Sequence, residues 1–299
     1  MTQEQFHGWS PPRSLLVLHD LTAQAGHAAW RAGMIARDHG ADLCLLHATN
    51  EPGGGAAKAR VVLEHLGGQL AERLGVQPDV RVVQGDPLAA VRAGAAAGLV
   101  VLGAQRANVL RDWIFGTPAE RLIRLCGCPV LVVRKPATSS YRRVLVPVDL
   151  GPAGAPALTA ATSLSRCTRI AVFHSLAVWH EVTMRAAEVP EAEVRKHRQQ
   201  SAGRARARID ELIGTVPGAG VAAIPSIGFG DAASMVLAAE QAMRADLVVI
   251  GKRRRGLLAD FFLGSVTQRV LSSARADVLV LPGARRRPRP QLALGRLAA

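Results

Sequence analysis

Few side chains in this sequence are arranged for chemistry. His47 and His174 each close an apolar run, Asp42-Leu-Cys-Leu-Leu-His47 and Arg169-Ile-Ala-Val-Phe-His174, and paired histidines could ligate a metal or act as general bases. Neither has a carboxylate or cysteine at ligand-like spacing, so both read as residues that end equivalent strands. Cys126-Gly-Cys128 has the form of a redox or metal pair, yet it lacks a second pair and a well-placed histidine. Gly228-Phe-Gly230-x-x-Ala233 imitates a dinucleotide-binding turn. The matching turn, Gly85-Asp86-Pro87, has a single glycine, and the strand before each is the third of its unit, so Asp86 and Asp231 read instead as helix N-caps. There is no phosphate loop with lysine and serine in series, no Gly-x-Ser-x-Gly, and no carboxylate pair beside a base. Asp112 and Asp260, the carboxylates a hydrolytic reading would need, serve equally well as helix caps or arginine partners. These residues point to binding rather than catalysis.

The elements that position them repeat. Leu-Val-Val-Leu-Gly103 and Leu-Val-Val-Ile-Gly251 are followed by Gly116-Thr117 and Gly264-Ser265, then by Val130-Leu-Val-Val133 and Val278-Leu-Val-Leu281, each pair about 148 positions apart. Ser14-Leu-Leu-Val-Leu-His-Asp20 has its counterpart in Arg143-Val-Leu-Val-Pro-Val-Asp149. Short apolar runs alternating with alanine-rich segments predict buried parallel strands and helices. The helices are expected near residues 25–39 and 157–165, and the third strands at Val80–Val83 and Val221–Ile224. Between His174 and Asp231 the second half carries about 18 residues more than the first does between His47 and Asp86. Much of that surplus is expected in Val189 to Ile213, read as a long solvated helix with a basic face.

The fold class predicted is α/β, two tandem open parallel five-stranded sheets with helices on both faces. The boundaries are residues 1–12, a polar arm; 13–135, the first domain; 136–140, a linker; 141–283, the second domain; and 284–299, a basic, disordered tail.

Composition narrows the class. The 299 residues are 49% hydrophobic, enough for two cores, and no apolar run reaches membrane-spanning length. Met1 to Pro12 has no apolar signal segment and the four cysteines form no disulfide framework, so a cytoplasmic location is expected. The net charge of +14 is concentrated in the second half, where residues 141–299 hold 23 Lys/Arg against 12 Asp/Glu. A polyanion such as nucleic acid would be drawn to the Arg195–Arg208 segment, Lys252–Arg255 and Arg285–Arg289. The 4% aromatic content leaves few stacking platforms and argues against nucleic acid.

Taken in order, Val-Pro-Val-Asp149, the Gly-Asp-Pro turn, Val-Val-Ile-Gly251, Leu-Gly-Ser-Val266 and the closing Val-Leu-Val-Leu281 resemble the universal stress protein family, in two tandem copies covering nearly the whole chain. The resemblance implies a nucleotide-binding-like α/β sandwich in a protein of stress tolerance with no defined enzymatic activity. It also implies that the last strands of the two halves pair across a pseudo-two-fold axis, with a further homodimer open and protein partners unknown.

Family members that bind ATP carry Gly-x-x-Gly, nine residues, then Gly-Ser or Gly-Thr around the phosphates, with an acid after the first strand at the adenosine. Here the second half matches with Asp149, Gly251, Arg254, Gly264, Ser265 and Val266, and the first with Asp20, Gly103, Arg106, Gly116 and Thr117. Both halves carry arginine where the motif has its second glycine. Either the arginine closes the loop, giving a degenerate cleft, or its guanidinium joins the phosphate contacts and the second half becomes an ATP-binding switch. No cofactor is required by the sequence, and ATP is the one the resemblance names.

Overall fold

The computed structural model describes residues 9–49, 54–93, 98–104, 120, 122–123, 127–251 and 264–282. The first half runs β1 (Ser14–Leu18), α1 (Ala23–His39), β2 (Asp42–Thr49), α2 (Gly54–Leu74), β3 (Asp79–Gln84), α3 (Pro87–Ala93), β4 (Leu99–Gly103) and β5 (Val130–Val133). The second runs β6 (Tyr141–Pro147), α4 (Gly154–Leu164), β7 (Ser165–Leu176), α5 (Trp179–Ala186), α6 (Glu191–Thr215), β8 (Ala223–Phe229), α7 (Ala232–Met243), β9 (Leu247–Gly251), α8 (Ser265–Ser273) and β10 (Asp277–Leu281).

All ten strands form one sheet in the order β3-β2-β1-β4-β5-β10-β9-β6-β7-β8. Every neighbouring pair is parallel except the central one, where β10 runs antiparallel to β5 with Leu279 opposite Leu131. The two five-stranded sheets therefore join edge to edge through their last strands, as the resemblance implies, and neither of these edges is left open. Four central strands are buried on both faces, which is why they read as unbroken apolar runs: β4, β5 and β10 are wholly buried and β9 nearly so.

Alternate side chains feed two cores. Leu131, Val133, Leu279 and Leu281 join α1, α2, α4 and α6 on one face. Val130, Val132, Val278 and Val280 join α3, α7 and α8 on the other. Alanines at 28, 29, 32 and 36 let α1 lie close on its face of the sheet, and Thr22 caps it by accepting from the Ala25 N–H at 3.3 Å. Trp9, from the N-terminal arm, crosses to the other half and donates through its indole N–H to Ser163 Oγ of α4 at 2.6 Å.

Three expectations shift. β8 begins at Ala223, and Val221 lies in a 3-10 turn, Ala219–Val221, 97% exposed. A polar-flanked apolar run was legible there, but a turn opened by Gly218 at φ 76° displaces the strand by two residues. The long helix is present, yet at 25 residues α6 exceeds the 21-residue α2 only slightly, and most of the surplus lies in α5 and the turn after it. The bases of α6 also do not share one solvated face. Arg198 turns onto Glu181 at 3.8 Å and over the Phe229 ring, while Arg208 Nη2 donates to the Leu150 carbonyl at 3.2 Å. The basic tail at 284–299 lies outside the described residues.

Candidate functional site

In an open α/β sheet the strand order reverses at one point, and the chain leaves the two strands there in opposite directions, opening a crevice at their carboxyl ends. In the second half that point is between β6 and β9. A cavity of about 480 Å³ occupies it, lined by Asp149 after β6, Gly251 at the end of β9, and Gly264, Ser265, Val266 and Thr267 at the start of α8. Five of the six second-half residues singled out by sequence thus converge on one cavity; Arg254 lies outside the described residues. In the first half, Asp20 and Gly103 follow and end the corresponding strands, β1 and β4. Arg106, Gly116 and Thr117 lie outside the described residues, as do Asp112, Asp260, Lys252, Arg253 and Arg255.

Each acid is built into a turn. Asp149 Oδ1 accepts from the Gly151 N–H at 2.9 Å, and Asp20 Oδ1 accepts from the Thr22 N–H at 3.1 Å and the Thr22 hydroxyl at 2.5 Å. The residue between is a leucine in the left-handed region in both halves, Leu150 at φ 57° and Leu21 at φ 65°. Such a conformation costs a leucine about 1–2 kcal/mol, and its occurrence twice at equivalent positions marks a turn held by its surroundings. Arg208 reaching the Leu150 carbonyl is one of those constraints.

The histidines behave as a pair. His174 Nδ1 lies 2.8 Å from the Val148 carbonyl, and His47 Nδ1 lies 2.8 Å from the His19 carbonyl. A carbonyl only accepts, so Nδ1 carries the proton in both, and each ring ties its strand end to the residue preceding the turn acid. His174 also lines the cavity, with Phe173 and Ser175 from the same strand end. Reading His174 as a plain strand-end residue missed that position, and its place one strand over from Asp149 was the available signal. His19 is buried; burial holds its imidazole below the ordinary range, against the opposing pull of Asp20, and its Nδ1 accepts from the Leu21 N–H at 3.0 Å.

The glycines divide into two kinds. A Cβ on Gly251 would sit 2.7 Å from the Ala153 carbonyl oxygen, and one on Gly103 would sit 2.6 Å from the Gln24 backbone. Both are needed where the strand passes the helix start. Among the described residues, nothing lies within 4 Å of the position a Cβ on Gly264 would take, and its φ is an ordinary −52°. Neither packing nor backbone explains it. As N-cap it brings no side chain to α8, whose first turn holds no acid.

The dinucleotide-like turn is closed by its own residues. Asp231 caps α7 by accepting from the Ser234 N–H at 2.9 Å, which holds its carboxyl below the usual range. Gly228 packs against Phe173, where a Cβ would come within 2.7 Å of the ring. A carboxylate already sits where an anion would have to bind. Asp86 similarly accepts from the Ala89 N–H at 3.3 Å at the start of α3. Cys126 lies outside the described residues, and among those described no group of three histidine, cysteine or acidic side chains is placed to hold a metal ion. No described helix is long and apolar enough to cross a membrane.

Comparison with known proteins agrees with this architecture. A universal stress protein from Archaeoglobus fulgidus superposes with a TM-score of 0.67 over 91% of this chain and 99% of its own, at 18% identity. A functionally unknown protein from Pseudomonas aeruginosa superposes with a TM-score of 0.60 over 90% and 92%, at 23% identity. Universal stress proteins of Mycobacterium tuberculosis and Mycobacterium bovis are each 28% identical over 193 residues, 62% of this chain and 61% of theirs. The alignment thus spans less than two thirds of these relatives. The model of the universal stress protein family matches residues 12–134 and again 140–282. With nearly the whole chain matched in two successive copies, the protein belongs to the universal stress protein family.

Proposed function

We propose that this is a non-enzymatic binding module of stress tolerance whose second-half cleft takes an adenine nucleotide. The observation that carries the reading is Gly264: a glycine unexplained by packing or φ, beside Ser265 at a helix N-terminus without an acid, facing Asp149 across the cavity. Open space at the N-cap leaves backbone N–H groups approachable by phosphate, and the helix dipole favours negative charge there. Asp149 is the only carboxylate among the described residues lining the cavity, and an acceptor at that end suits ribose hydroxyls. The remainder is largely apolar, as a nucleobase requires. Gly251 and Val266 shape the walls.

The first-half cleft, through Asp20, Gly103, Arg106, Gly116 and Thr117, is proposed as the weaker of the two. With arginine at 106 and 254 in place of glycine, both loops depart from the ATP-binding pattern of the family. In the second half we assign the guanidinium of Arg254 to the phosphates, which it can meet with charge-assisted bonds.

Calorimetric titration of the full chain with ATP, beside mass spectrometry of small molecules released on denaturation, tests this. Saturable binding of one ATP per chain, abolished in Gly264→Val, is expected. Absence of binding, with no nucleotide released, would overturn the reading and leave Arg254 as a plug.

A further inference from the structure

A second cavity, about 540 Å³, lies at the opposite ends of the second-half strands, where β6, β9 and β10 begin and the linker between the halves crosses them. We propose that it is an anion site for a compact oligophosphate, distinct from the cleft at Asp149.

The lining holds five cations, Arg31, Lys135, Arg143, Arg244 and Arg275, against three carboxylates. The carboxylates are engaged with the chain itself. Asp246 accepts from the backbone N–H groups of Arg142 and Arg143 at 2.9 and 3.0 Å. Glu240 Oε1 accepts from those of Arg275 and Ala276 at 2.9 and 2.7 Å, and its other oxygen is sealed from solvent. Asp277 accepts from the Arg134 N–H at 2.8 Å and the Tyr141 hydroxyl at 2.7 Å, with Arg31 Nε at 3.4 Å. Arg31 is held in turn by the Ser139 carbonyl at 2.7 Å and by the Tyr141 ring.

These bonds fix the backbone around the cavity and leave its outer cations without partners. Among the described residues, the side chains of Lys135, Arg143, Arg244 and Arg275 make no hydrogen bond or ion pair, and all four are exposed. They come from four separate stretches: the end of the first half after β5, the start of β6, the turn before β9 and the turn before β10. Like charges brought together on a concave surface repel unless an anion lies between them, and planar guanidinium groups match phosphate oxygens two at a time. The one aromatic ring in the lining, Tyr141, is buried and covered by Arg31, so the ligand is recognised mainly by charge. Because Arg31 and Lys135 belong to the first half, a ligand here also ties the halves together.

The test is titration of the full chain with inorganic tripolyphosphate, which carries no nucleoside. One saturable site per chain is expected. Arg244→Gln with Arg275→Gln should weaken it by about tenfold or more, since each removes charge-assisted bonds to phosphate. Arg195→Gln with Lys196→Gln on α6, which removes the same charge over β7 and β8, should leave affinity within about twofold. Gly264→Val should also leave it intact, so this proposal and ATP binding at the other cleft fail independently. No saturable binding, equal weakening by the α6 pair, or loss in Gly264→Val with survival in the arginine pair would each overturn it.

Discussion

Gly251 meets Ala153 so closely that a Cβ would lie 2.7 Å from the Ala153 carbonyl oxygen and 2.8 Å from its Cβ. The end of β9 thus needs a glycine whether or not a ligand binds, whereas Gly264, across the same cavity, faces open space. Alanine at the two positions should therefore separate stability from binding. Gly251→Ala has to move backbone against backbone and is expected to lose about 1–3 kcal/mol, read from urea denaturation. Gly264→Ala is expected to stay within about 0.5 kcal/mol of the parent while weakening ATP in calorimetry. Equal stability losses would mean that the segment before α8 packs on Gly264 and that its role is structural.

Tyr141 is fully buried and its hydroxyl donates to Asp277 at 2.7 Å, beneath the junction of the halves. Tyr141→Phe keeps the ring under Arg31 and removes only that donor. The carboxylate oxygen then retains Arg31 alone, so a loss of about 1–3 kcal/mol is expected, with a lower thermal midpoint. No change in midpoint would show that the hydroxyl contributes nothing net at this site.

The strands were legible because their causes are local and periodic, and their pairing across the halves was legible only through the family resemblance. Strands buried on both faces must be apolar throughout, so Val130–Val133 and Val278–Leu281 announced themselves, and the 148-residue spacing placed them as equivalents. The five cleft residues were legible by resemblance, since a motif keeps its order through the fold. What escaped depends on contacts that have no spacing. The positive φ of Leu21 and Leu150 is imposed by an acid, a following N–H and, in one half, an arginine 58 residues away. The cations of the second cavity are scattered from Arg31 to Arg275, and the strand order β10-β9-β6 with the chain's crossing between the halves brings them together. Gly251 was legible as a glycine but not for its reason, which is the helix start packed beside it.

His19 offers a pH test of the first half. Its imidazole is buried and held below 6.5, chiefly by burial, so the unfolded chain takes up a proton that the folded chain resists. Stability is then unaffected above that value and is lost as pH falls from 6.5 through the lowered folded value. The slope in this window is at most about 1.4 kcal/mol per pH unit. The second half has Val148 at the corresponding position, so His19→Val is a substitution the fold already accommodates. Denaturation midpoints of parent and variant should converge in slope above neutrality and diverge on acidification, the parent falling faster. Parallel curves down to pH 5 would show that His19 protonates freely in the folded protein.

Asp231 carries the opposite sign. Its carboxylate accepts from the Ser234 N–H and hydroxyl at 2.9 and 2.8 Å, with Arg269 3.5 Å away, and the Ser234 N–H is the main reason its pKa lies below the ordinary 3.8. A lowered folded pKa means a stabilisation present in full above the unfolded value and lost as pH falls through the folded one. Asp231→Ala removes cap and charge together, so it should be less stable than the parent at neutral pH, with the difference shrinking below pH 3.8. Asp231→Asn keeps an oxygen that can cap and loses only the charge, so it should lie between the two at neutral pH. Because Ala232 lines the Asp149 cavity, fraying of α7 in Asp231→Ala should also weaken ATP at neutral pH more than Asp231→Asn does. If both variants match the parent across the whole range, the cap is dispensable and α7 is held by its packing on β6, β7 and α8 alone.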